Sequence, residues 1–136
     1  MMYLVDSGVW IGAANPKDIH HREATSVLKS ILKGELGKAL ITDLIFSEVV
    51  TYIRRKVGRK QSVEAARMLI DSGHVEITHI DVKIFNAAYH MFERYSELSF
   101  ADAASVAIMK DRGIQQIFSF DKGFDGVRDI TRLETI

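Results

Sequence analysis

Two kinds of apolar spacing alternate along this chain. Short apolar runs bounded by turn residues read as strands, and stretches with apolar residues every three or four positions read as helices with one buried face. The first strand spans Tyr3 to Val5, and a brief helical stretch after it is broken by Asn15-Pro16. A helix from Ile19 to Lys33 ends at Gly34, and Ala39 to Thr42 forms a second strand. Asp43 is placed to cap a helix from Leu44 to Val57, with Gly58 as its stop. The next helix runs from Ser62 to Asp71 and closes at Gly73. Val75 to Ile80 alternates apolar and polar residues, as a strand near a sheet edge does. Asp81 to Tyr95 is helical, Ser99 caps a helix from Phe100 to Arg112, and Gly113 ends it. Gln116 to Phe120 is the next strand, and the tail from Asp129 to Glu134 holds a short last one. Strands alternating with helices predict an α/β layer fold with a largely parallel sheet, in one domain over residues 1–136.

Composition narrows the function. A chain of 136 residues buries roughly two thirds of its unfolded surface, enough for a core. Eighteen basic residues balance eighteen acidic ones, so nucleic acid must be held by a local patch or through a metal ion. The absence of cysteine excludes disulfides, thiolate nucleophiles and thiolate metal sites, and suits a reducing cytoplasm. No export signal pattern is visible and no apolar stretch reaches membrane-spanning length, so no membrane role is expected.

Against this background four acids stand out: Asp6, Glu48, Asp102 and Asp121. Each sits in or beside an apolar-rich segment, where a carboxylate is costly unless something positive neutralises it. Asp6 and Asp121 follow buried strands, and ligands of open α/β sheets sit beyond the carboxyl ends of strands. Ser119 lies two residues before Asp121 and should point to the same side, with Phe118 and Phe120 on the opposite face. Glu48, between Leu44 and Tyr52 on its helix, borders the apolar stripe. Asp102 lies in a first helical turn, where the dipole favours an anion. If the fold joins them, about four negative charges share a pocket, which calls for a divalent cation and suits phosphate-ester chemistry.

Plainer roles exist for each acid. Asp6 can cap a turn, Glu48 can pair with Arg55, Asp102 completes a capping box with Ser99, and Asp121 can open a turn before Lys122-Gly123. The dense basic run, Arg54, Arg55, Lys56, Arg59 and Lys60, can guide a phosphate backbone or simply offset a helix dipole. His20 and His21 are adjacent, diverge on a helix, and should be structural or surface residues. Trp10 is expected in the core, or else in a dimer or partner contact; Met68, Met91 and Met109 are expected as core filler.

The order of these motifs resembles the PIN-domain ribonucleases, and more narrowly the VapC-type toxins. Tyr3-Leu4-Val5-Asp6-Ser7 is similar to the family's opening strand, acid and hydroxyl residue. Ile41 to Val50 is similar to its second motif, with the acid at Glu48. Leu98 to Ala107 carries the third acid at Asp102, and Phe118 to Phe124 the fourth at Asp121. Gly8 departs from the polar residue common there, and Asp125 matches a fifth, less regular acid. The resemblance implies a five-stranded parallel sheet with helices on both faces and a Mg²⁺- or Mn²⁺-dependent endoribonuclease. It also implies a cytoplasmic homodimer inhibited by a small antitoxin. On this reading all four acids are catalytic. Asp6 and Asp102 are the principal metal ligands, and Asp121 completes the shell or holds a second ion. Glu48 orients the attacking water, and Ser7 and Ser119 hydrogen-bond the ligand carboxylates. Three other readings stay open: a phosphoryl-accepting receiver domain, a PIN-like module that binds RNA or a partner without cutting, and a nuclease acting on structured DNA.

Overall fold

The computed structural model describes residues 1–136. Five strands, β1 (Met2–Val5), β2 (Lys38–Thr42), β3 (Val75–Thr78), β4 (Gln116–Phe118) and β5 (Thr131–Leu133), form one sheet in the order β3-β2-β1-β4-β5. All neighbouring pairs are parallel. Six helices connect them: α1 (Ser7–Ala14), α2 (His21–Leu32), α3 (Asp43–Lys56), α4 (Arg59–Asp71), α5 (Val82–Arg94) and α6 (Phe100–Arg112). Right-handed crossovers put α1 to α4 on one face and α5 with α6 on the other. The three central strands are apolar at their centres, because a strand covered on both sides has no polar face: Leu4, Val5, Leu40, Ile41 and Ile117 are fully buried.

Chain direction reverses next to β1. The path steps from β1 to β2 to β3, then returns to place β4 on the other flank of β1, with Leu4 opposite Ile117 and Val5 opposite Phe118. The carboxyl ends of β1 and β4 therefore flank the crevice where helices depart to opposite faces, the usual ligand position in such sheets. Trp10 is core: its indole N–H donates to the Val5 carbonyl at 3.1 Å. Met109 is fully buried, and Met68 and Met91 pack against the same cluster. β3 is an edge strand, as its alternation predicts.

Several boundaries differ from the sequence expectation. Helix α2 begins at His21, not Ile19, because Ile19 points to solvent and Asp18 instead accepts the His20 N–H in a tight turn. The cap of α3 is Thr42, whose hydroxyl accepts the Ile45 N–H at 3.1 Å. Asp43 reaches away to the Ile80 N–H. Helix α4 begins three residues early, at Arg59, since the Ser62 N–H closes a turn onto Gly58 and the Ser62 hydroxyl anchors to Val50. Strand β4 ends at Phe118, not Phe120, so its alternation stops there.

Gly37 precedes β2 at φ 77°, and any Cβ there would collide with the Met1 backbone. Gly37→Ala is expected to destabilise the chain by about 1–3 kcal/mol, read as a lower urea midpoint at unchanged slope. An unchanged midpoint would contradict this packing of β2 against the N-terminus.

Candidate active site

Asp6 is the residue that β1 hands to α1. Its N–H continues the ladder to the Phe118 carbonyl at 2.9 Å, and its side chain caps α1 by accepting the Ser7 N–H at 2.9 Å. Its second oxygen accepts the Ser119 hydroxyl at 2.8 Å. That hydroxyl, fully buried, also accepts the Asp121 N–H at 3.0 Å. One serine thus ties together the ends of the two strands that carry acids. Ser7 supports Asp6 through its backbone N–H; its hydroxyl makes no such bond.

Asp6, Glu48, Asp102 and Asp121 line one cleft of about 460 Å³ at the carboxyl end of the sheet. Asp6 is 7% exposed, Asp102 is half-buried, and Glu48 and Asp121 are exposed. Burial is the main reason the Asp6 carboxyl is pushed up to about 7, with the charges of Asp102 and Glu48 adding to it. The Ser119 and Ser7 bonds pull the other way. Asp102 is raised for the same first reason, burial, helped by Asp121 and Glu48 and opposed by its bonds to Ser99. A slightly larger groove, about 470 Å³, lies between α3 and α4 but contains no acid.

The carboxylates share the cleft without closing into a coordination shell: no three acid or histidine groups converge on one point. Local bonds hold two of them aside. Asp102 folds back onto the Ser99 N–H at 3.3 Å in a capping box, and Asp121 accepts the Gly123 N–H at 2.8 Å. Swinging either side chain inward gives up a cap of about 1 kcal/mol, a small sum beside the attraction of a divalent cation. The donor set, hard carboxylate oxygens with one nearly buried, fits Mg²⁺ or Mn²⁺. Glu48 makes none of the ion pairs, so the expected Arg55 partnership is absent. Instead Arg55, Lys56 and Tyr52 line a groove that meets the acid cleft at Glu48. Arg54 shares the last turn of α3, whereas Arg59 and Lys60 open α4.

The sequence profile of the PIN domain matches residues 3–130. The chain belongs to the PIN-domain family. Ribonuclease VapC13 of Mycobacterium tuberculosis is 31% identical over 135 residues, covering 97% of this chain and 99% of that protein. The 23S rRNA-specific endonuclease VapC20 of the same species is 28% identical over 125 residues, covering 90% and 92%. The crystal structure of VapC20, described as a sarcin-ricin loop cleaving toxin, superposes with a TM-score of 0.81 at 25% identity, over 96% and 98% of the two chains. A toxin–antitoxin complex from Klebsiella pneumoniae shares the fold, with a TM-score of 0.71 at 17% identity over 98% and 99%. The strand order also differs from the 2-1-3-4-5 order of receiver-like sheets, which removes that reading.

Four parts of this PIN domain's site escaped the sequence, the first being Asp18, a fifth acid that lines the cleft. Phe120 lines the cleft instead of turning to the opposite face, since β4 has already ended. His20, from the loop before α2, lies against it. Arg132, 10% exposed, donates to both oxygens of Asp125 at 2.8 and 3.2 Å, to Glu134 at 2.6 Å and to the Ser119 carbonyl at 3.0 Å. Asp125 is thereby held below the usual carboxylate range, outside the cleft.

The two raised aspartates act on stability in the same direction. An acid whose pKa rises on folding holds its proton more tightly when folded, so stability is full at low pH and declines as pH climbs toward the folded pKa. In chelator-treated buffer stability, read as the melting temperature, is expected to fall between about pH 4 and about pH 7, by at most about 1.4 kcal/mol per pH unit for each group. Asp6→Asn should flatten the slope and melt above wild type at the alkaline end. A wild-type profile as flat as the variant's would contradict the shift.

Proposed function

We propose that this PIN domain is a divalent-cation-dependent endoribonuclease, the toxin of a toxin–antitoxin pair. The observation that carries the reading is that Asp6, Glu48, Asp102 and Asp121 line one cleft at the switch point, together with Asp18, and that Asp6 is buried among like charges. Ribonuclease relatives that match nearly the whole chain support the same chemistry. A Mg²⁺ or Mn²⁺ ion bound there supplies positive charge to the scissile phosphate and acidifies water.

The residues take roles that follow from their surroundings. Asp6, fixed at two oxygens by Ser7 and Ser119, is the preorganised ligand. Asp102 and Asp121, whose side chains now bond the Ser99 and Gly123 N–H groups, would supply the further carboxylate ligands. Glu48, exposed and free of ion pairs, orients the attacking water and takes its proton. Arg55 and Lys56, beside Glu48, receive the RNA backbone. Water as the nucleophile leaves the ribose 2′-hydroxyl outside the reaction. Related toxin–antitoxin assemblies support a small antitoxin partner. A homodimer in the cytoplasm completes the proposal; no helix is long and apolar enough to cross a membrane.

With Mg²⁺ or Mn²⁺ present, the protein is expected to cut RNA, and Asp6→Asn to lose about 100-fold or more in rate while staying folded. Digestion of RNA and structured DNA side by side should show RNA as the better substrate. Cleavage by Asp6→Asn at the wild-type rate would overturn the assignment. A wild-type protein that binds the ion and RNA without cutting would instead favour a binding module.

A further inference from the structure

One wall of the cleft is aromatic, and the acids do not account for it. Phe118 and Phe124 are buried, at 2% and 0% exposure, while Phe120 between them is half-buried and faces the cleft. His20 lies flat on Phe120, with ring centroids 4.1 Å apart and planes 8° from parallel. His20 also lines the cleft. Its loop is anchored at two points: the His20 N–H donates to Asp18 at 2.8 Å, and the neighbouring His21 ring meets the Gly12 carbonyl at 2.7 Å. Gly8, on the adjoining turn of α1, faces the Phe120 ring without a side chain; a Cβ there would touch the ring edge at 3.8 Å.

We propose that His20 and Phe120 form a stacking platform for one unpaired nucleobase next to the phosphate that enters the acid cleft. This rests on the ribonuclease reading. Carboxylates repel the phosphates on either side of the cut, so ionic contacts are poorly placed there to supply affinity. A flat ring pair has no such conflict, since every base presents a π-face and stacking contributes roughly tenfold or more in affinity per base. Recognition by stacking also favours a splayed, single-stranded segment over a regular duplex. If the pair only seals the edge of the core, its loss lowers stability but leaves the response to an individual base unchanged.

The test uses short single-stranded oligoribonucleotides with 2-aminopurine at successive positions, titrated with the protein, with and without Mg²⁺. Anisotropy of a terminal dye reports binding, and 2-aminopurine quenching reports stacking. Quenching is expected at one position beside the cut. His20→Ala and Phe120→Leu should relieve it and weaken binding about tenfold, and His20→Tyr should restore both. An abasic nucleotide at that position should weaken wild type by a similar factor and His20→Ala little further. No binding, binding without quenching, or quenching indifferent to His20→Ala overturns the platform. Cleavage without quenching keeps the nuclease and removes the platform; quenching without cleavage does the reverse.

Discussion

A carboxylate buried where two parallel strands meet is the constraint on which this site depends. Asp6 is nearly inaccessible, sits at the junction of β1 and β4, and shares its cleft with four other acids, Asp18, Glu48, Asp102 and Asp121. Burying that charge is unfavourable, and burial pushes both the Asp6 and the Asp102 carboxyl upward. The fold offsets part of the penalty with two hydrogen bonds to Asp6, from the start of α1 and from Ser119. The rest calls for positive charge, and no lysine or arginine side chain lines the cleft. Such an arrangement lowers the stability of the bare fold and raises its affinity for a cation.

The remaining architecture serves that junction. The reversal of chain direction beside β1 brings an N-terminal acid and a C-terminal one to the same crevice. Crossovers to either face deliver Glu48 on α3 and Asp102 on α6. The tail contributes as well: Arg132 on β5 holds the Ser119 carbonyl, and Ser119 holds Asp6. A cleft assembled from five distant segments forms only when the whole sheet is in register, so folding and site assembly are one event.

Much of this was legible in the sequence, for identifiable reasons. Strands buried on both faces leave dense apolar runs, and glycines or capping serines punctuate helices, so the elements and their order could be read directly. The four acids were visible because charge is out of place in those runs. What stayed hidden depended on contacts between distant residues or on local competition. Thr42 displaced Asp43 as a cap because Asp43 found a partner beyond β3. Phe120 faced the cleft because β4 stopped short, and His20 had no sequence signal linking it to a ring a hundred residues away. Arg132 carried no signal in the sequence, since Asp125 and the Ser119 carbonyl are brought to it by the turn after β4. Asp102 and Asp121 make the local capping bonds that the plainer reading expects, and both also line the cleft.

A crystal structure grown with Mn²⁺, with data collected near the manganese edge, tests the convergence of the acids most directly. The account predicts an anomalous peak in the cleft, about 2–2.5 Å from carboxylate oxygens of Asp6 and Asp102, with Asp102 turned off the Ser99 N–H. Well-ordered acids with no peak among them, or a peak only elsewhere on the surface, would contradict it.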